Sequence, residues 1–172
     1  MAKIITGYAV RFNDETVISG LFREKIAPQA FDKSLRERPD VLALYGHDHN
    51  RVLGRTTAHT LTLRPDRIGL DFSLTPDETT PDGQTAIGVV GRQDVRGCSF
   101  GFRVTKETWD EGDYDELPLR IVEEAELYEV SIVATPAYPT TSAELVRSDQ
   151  TKAADSRRRA EAAMKARGIA IG

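Results

Sequence analysis

The chain has 172 residues, 40% hydrophobic and 29% charged, a composition that fits one globular domain with a real core and excludes a disordered or collagenous chain. No apolar run approaches the roughly eighteen residues of a helical membrane span, residues 1–5 lack the apolar stretch of a signal peptide, and one cysteine, Cys98, excludes an internal disulfide and suits a reducing compartment. The formal net charge is −4, but residues 148–172 carry six Lys/Arg against three Asp/Glu, which leaves −7 on residues 1–147; a body of that sign is not built for nucleic acid.

Residues 3–12 and 18–26 read as two strands around an Asn13-Asp14-Glu15 turn. Pro28 opens a short helix at 29–36 that Pro39 stops. The compact apolar run 41–45 is a strand that delivers Gly46-His47-Asp48 at its end, ahead of a polar loop. Catalytic groups often sit at such strand ends. Residues 59–63 and 68–74 alternate on either side of Arg64-Pro65-Asp66-Arg67, which predicts a hairpin. A proline-rich loop at 75–81 then gives way to a helix at 82–91 with Ala86, Val89 and Val90 on its apolar face.

Residues 99–109 and 117–125 form a second predicted hairpin, whose tip at 110–116 is crowded with carboxylates. Their spacing does not match an EF-hand calcium loop, so a solvated tip is the expectation. Residues 126–134 make a final core strand, closed by Pro136 and Pro139. Beyond Leu145, residues 152–167 have helix-forming composition but only a narrow apolar stripe. Many short strands, two helices and no βαβ alternation predict a mainly β fold with a few helices, as an antiparallel sheet or barrel. The domain is expected over 1–145, followed by a basic, Ala-rich tail at 146–172, flexible or helical.

The chemistry-bearing residues come in the order histidine, serine, acid. A serine hydroxyl is a poor nucleophile unless a base takes its proton and an anion orients that base. Ser99 lies in Gly97-Cys98-Ser99-Phe100-Gly101-Phe102, where two glycines would let the backbone turn sharply and approach a substrate; the plain alternative is a turn serine. The Gly-x-Ser-x-Gly spacing also matches the nucleophile elbow of α/β-hydrolases, but that motif needs a helix after the serine and a histidine further on. Here the following residues alternate like a strand, and no histidine follows Ser99.

His47, at the end of an apolar strand, is placed as a general base. His49 would face the opposite way if the strand continued, and His59 falls on an alternating strand as a packing or surface residue. A zinc site built on His47 and His49 leaves the Gly97–Phe102 block unexplained. Strand alternation puts Leu127, Glu129, Ser131 and Val133 on one face, and Glu126, Tyr128, Val130 and Ile132 on the other, so one glutamate can meet the site. Cys98 is a rival nucleophile because a thiolate is intrinsically the better one, though only one of two adjacent residues on a strand can face His47. It is expected to be a small core residue. Arg55 and the backbone around Ser99 are candidates for stabilising an oxyanion.

Five blocks, in order, carry a family resemblance: Gly7-Tyr8-Ala9; Ile26-Ala27-Pro28-Gln29-Ala30-Phe31; Leu44-Tyr45-Gly46-His47-Asp48 with Val52-Leu53-Gly54-Arg55; the Ser99 block; and Leu127-Tyr128-Glu129-Val130-Ser131-Ile132-Val133-Ala134-Thr135-Pro136-Ala137-Tyr138-Pro139. Over residues 5–145 the chain resembles the prohead serine proteases of tailed phages, which share a fold with the herpesvirus assembly proteases. The resemblance implies an antiparallel β-barrel-like core of the herpesvirus-protease type. It implies Ser99 as nucleophile and His47 as base. The herpesvirus-type enzymes carry a second histidine just ahead of a Val-Ser-Leu-like run; here the matching position is Glu129, with Glu126 as fallback, and an anion stabilises an imidazolium at least as well.

No cofactor and no metal are implied. The resemblance further implies a serine endopeptidase that cleaves the scaffolding segment of the major capsid protein, and itself, within the assembling procapsid in the host cytoplasm. The capsid protein is its expected partner and a homodimer its expected assembly, with neither nucleic acid nor membrane. The rival readings are a non-catalytic assembly or scaffold protein on the same fold and a cysteine hydrolase acting through Cys98.

Overall fold

A computed structural model of the chain describes residues 1–147. The helix expected at 152–167 and the tail assigned to self-cleavage lie outside the described residues. Along the chain run β1 (Lys3–Arg11), β2 (Thr16–Ile18), β3 (Phe22–Ile26), α1 (Asp32–Glu37), β4 (Leu42–Tyr45), β5 (Asp48–Arg55), β6 (Leu61–Pro65), β7 (Gly69–Leu74), α2 (Pro81–Gly91), β8 (Gly97–Asp110), β9 (Leu119–Val133) and β10 (Glu144–Arg147). The mainly β expectation holds. Among the described residues no helix is long and apolar enough to cross a membrane.

The strands form two sheets. One has the order β10-β1-β7-β6 and is antiparallel throughout. The other runs β2-β3-β9-β4-β5, with β8 also paired to β9. This second sheet departs from the antiparallel expectation, because β3 and β4 both run parallel to β9. The length of β9 leaves room for both. Its 15 residues are paired along one edge by β8, and its other edge is shared by β3 at Leu119–Val122 and β4 at Glu129–Ile132. Neither sheet closes into a barrel.

The sequence suggests two strands, at 117–125 and 126–134, where the structure has the single strand β9. The glutamates that look like a break are accommodated by pairing with cations: Glu123 with Lys106, Glu124 with Lys33, and Glu126 with Arg103 and Arg38. Conversely, the predicted strand at 18–26 is divided by a turn at Ser19-Gly20, both with positive φ. Strand β5 replaces the expected polar loop after His47; as an edge strand it has no need of the apolar alternation that marks a buried one.

Helix α2 follows simple rules. Thr80 accepts a hydrogen bond from the Gly83 N–H at its N-terminus, Pro81 fills the first turn, and Gly83, Ala86, Ile87 and Val90 form the buried i, i+3, i+4, i+7 stripe. One apolar cluster joins both sheets and α2, with Ile5, Val10, Phe72, Val90, Leu127 and Val130 among its members. Burying each such aliphatic or aromatic side chain contributes about 1.5–3 kcal/mol.

Within β9 the core-facing residues are Val122, Ala125, Leu127, Val130 and Ile132. The alternation slips twice. Opposite Gly101 and Phe102 stand Glu129 and Leu127, so Tyr128 is an extra residue, and opposite Lys106 and Glu107 stand Glu124 and Val122, so Glu123 is another. Each bulge inverts the side-chain parity. Leu127 therefore shares the core face with Val130, not the face of Glu129 as strict alternation predicts. Both Glu126 and Glu129 leave the core face, and position along the strand separates them.

Candidate active site

The β4–β5 hairpin turns through Gly46 and His47, between the paired residues Tyr45 and Asp48. Both turn residues have positive φ, 61° and 60°, the pattern that lets a two-residue connection match the twist of its strands. Glycine adopts that conformation freely; histidine does so at a cost. Contacts to β9 hold the turn there. The Gly46 N–H donates to the Ile132 carbonyl at 3.0 Å, and the His47 N–H donates to Ser131 Oγ at 3.1 Å.

The same turn brings the His47 ring to Glu129. Nδ1 lies 2.5 Å from Glu129 Oε1, while Ser131 Oγ donates to Oε2 at 2.5 Å. Both carboxylate oxygens are thus engaged on a side chain only 6% exposed, whereas the imidazole is 46% exposed. An ionised carboxylate only accepts, so a donor on Nδ1 is the tautomer that fits this contact, and it leaves the Nε2 lone pair available as a base.

Ser99 sits on β8 directly opposite Ser131. The register is unbroken from Gly97 to Gly101, so Gly97, Ser99 and Gly101 share the face that carries Glu129 and Ser131. No sharp turn exists at the serine, contrary to expectation; it lies inside an extended strand of 14 residues. The glycines serve a different need. A Cβ on Gly101 would come within 2.7 Å of Glu129 Oε1, and one on Gly97 within 2.7 Å of Pro136. Gly101 leaves the space that the carboxylate fills. Ser99 is half-buried, and its hydroxyl makes no hydrogen bond among the described residues.

The remaining sequence candidates fall elsewhere. Glu126 accepts from Tyr128 and Arg103 and pairs with Arg38 at 3.1 Å; the Tyr128 hydrogen bond, then the two guanidinium charges, hold its carboxyl below the usual range. Arg55 is a fork on Asp40, with contacts at 2.8 and 2.6 Å, and together with Thr57 it draws the Asp40 carboxyl down to about 2. Cys98 is fully buried on the opposite face from Ser99, and burial, followed by the charge of Glu129, pushes its thiol far up. Burial and protonation both disfavour such a thiol as a nucleophile. Both His49 and His59 are exposed, and among the described residues no group of three His, Cys, Asp or Glu is placed to hold a metal ion.

Ser131 is the participant that residue-type reasoning misses. The signal was present in its i, i+2 spacing from Glu129, but a serine in an apolar strand carries no mark of its partner. A cleft of about 480 Å³ borders Gly97, two residues before Ser99, with walls that include Arg96, Pro136, Pro139 and Thr141.

Comparison with known proteins agrees with the family resemblance. A family model described as caudovirus prohead serine protease matches residues 1–156. The prohead protease of Escherichia phage T5 is 28% identical over 107 residues, covering 62% of this chain and 46% of that protein. The match thus takes in less than half the length of that curated relative.

Proposed function

Because this chain belongs to the caudovirus prohead serine protease family, we propose that it is a serine endopeptidase in which Ser99 attacks the peptide bond, His47 is the general base and Glu129 orients His47. The observation that carries the reading is the 2.5 Å contact between His47 Nδ1 and a buried Glu129, on the strand that pairs directly with the one bearing Ser99. Nε2 takes the Ser99 proton as Oγ adds to the scissile carbonyl, and the Glu129 anion stabilises the imidazolium formed. The imidazolium then protonates the leaving amine, and water, deprotonated by the same nitrogen, releases the acyl group from Ser99.

The family extends the proposal to substrate and place. The substrate is the scaffolding segment of the major capsid protein, the site of action is the assembling procapsid in the host cytoplasm, and the working form is a homodimer. The protease unit, read from the sequence as residues 1–145 with a tail at 146–172, keeps β10 to Arg147, and the enzyme itself removes the basic tail beyond it. The core arrangement is related to that of the herpesvirus assembly proteases.

A fluorophosphonate probe, which phosphonylates an activated serine, tests the chemistry directly. Wild-type protein should be labelled at Ser99 and cut the capsid protein, with products identified by mass spectrometry; Ser99→Ala should do neither, losing several orders of magnitude in turnover. A wild-type chain that resists the probe and leaves the capsid protein whole would be a non-catalytic scaffold protein. Activity that survives Ser99→Ala and disappears in Cys98→Ala would move the nucleophile to the thiol.

A further inference from the structure

The Ser131 hydroxyl closes a ring. It is fully buried, accepts the His47 backbone N–H at 3.1 Å and donates to Glu129 Oε2 at 2.5 Å, while Glu129 Oε1 meets His47 Nδ1 at 2.5 Å. The chain therefore passes from the backbone of His47, through one hydroxyl and one carboxylate, to the ring of the same residue. We infer that Ser131 is a positioning residue, which sets the aim of Glu129 and the conformation of the His47 turn with a single hydroxyl.

Two needs meet at this atom. A carboxylate on a freely turning terminal torsion is aimed only when both its oxygens are held, and Oε1 alone would leave it free to pivot. His47 also occupies a positive-φ conformation, 60°, which persists only where the surroundings over-determine it. A hydroxyl has one proton to give and lone pairs to accept with. Neither alanine nor a carboxylate could serve both partners. Placement adds a third consequence: Ser131 is the register partner of Ser99 on β8 and of Leu44 on β4, so the strand that carries the nucleophile and the strand that leads to the base are both referred to the same residue.

This inference rests on the proposed roles of Ser99, His47 and Glu129, and its test separates the two. The rate constant of fluorophosphonate labelling at saturation and the concentration for half-saturation would be measured for wild type, Ser131→Ala, Ser131→Thr, Ser131→Cys and Glu129→Gln, with a melting curve for each. The downfield proton NMR resonance of His47 Nδ1–H would be followed in parallel. Misplacement of a catalytic group by a fraction of an ångström to one ångström predicts a loss of about 10- to 100-fold in the saturating rate, with half-saturation unchanged, in Ser131→Ala. The Nδ1–H resonance should shift or broaden. Ser131→Thr, which keeps the hydroxyl, should recover both, and Ser131→Cys, close in size but with a weak S–H donor, should be impaired even where the alanine variant folds poorly.

A folded Ser131→Ala or Ser131→Cys with the wild-type rate and an unmoved resonance overturns the inference, as does a fall in melting temperature alone. If Glu129→Gln is inactive in that experiment, the triad reading survives and only the Ser131 role is lost. Wild-type labelling in Glu129→Gln overturns both.

Discussion

His47 and Glu129 show how a residue acquires surroundings that its type alone does not confer. Glu129 is held by two partners in a nearly buried position, whereas Glu126, three residues earlier, is spent on Arg38, Arg103 and Tyr128. Neutralising the first should therefore cost far more than neutralising the second. Glu129→Gln is expected to lower turnover by about 10³ to 10⁴, as for the orienting carboxylate of a serine triad, and Glu126→Gln by much less, measured as cleavage of capsid protein. Equal, mild losses at both positions would remove Glu129 from the site. Cys98 supplies a complementary test. Its folded-state pKa is raised by burial and by Glu129, so the native thiol stays protonated through pH 8 to 9 while an unfolded one, with a pKa of about 8.5, is substantially ionised. Iodoacetamide at pH 8.5 should leave native Cys98 unmodified and alkylate it rapidly in denaturant; fast native alkylation would reopen the thiol reading.

Among the elements, β9 decides most. Its bulge at Tyr128 lets Leu127 and Val130 both enter the core while Glu129 and Ser131 stay together on the other face. The residue count matters here, not the tyrosine ring, which is 41% exposed. Tyr128→Ala keeps the count, is a surface change of roughly ±0.5 kcal/mol, and should retain fluorophosphonate labelling. Deleting Tyr128 removes the bulge and forces a choice between Leu127 in the core and Glu129 at His47, so labelling should be abolished. Wild-type labelling in the deletion variant would show that the strand re-forms its register elsewhere.

For the whole molecule, the boundary of the folded unit bears on self-processing. Strand β10 pairs with β1 through Lys3–Arg147 to Thr6–Glu144, and Leu145 packs against the core. Self-trimming that preserves the fold must therefore leave residues up to Arg147, slightly beyond the boundary read at 145. A chain ending at Arg147 is expected to melt like the full chain, whereas one ending at Ala143 uncovers the edge of β1 and should melt several degrees lower. On storage, wild-type protein should shorten at its C-terminal end while Ser99→Ala keeps full length. If neither shortens under conditions in which capsid protein is cut, self-processing is wrong.

The sequence by itself determined the mainly β composition, the helix that follows the proline-rich loop, the β6–β7 hairpin and the blocks that carry His47, Ser99 and Glu129, because each depends on local rules of turn and periodicity or on residues read in order. Tertiary structure decided the rest. The parallel placement of β3 and β4 along β9, the two bulges that invert its parity and the edge strand β5 depend on partners distant in the chain, and no local pattern encodes a partner. Glycine at 101 looks like a turn residue until the carboxylate of Glu129 is seen to fill its side-chain space. Ser131 looks like an ordinary strand serine until the fold carries the backbone of His47, 84 residues away in sequence, to its hydroxyl.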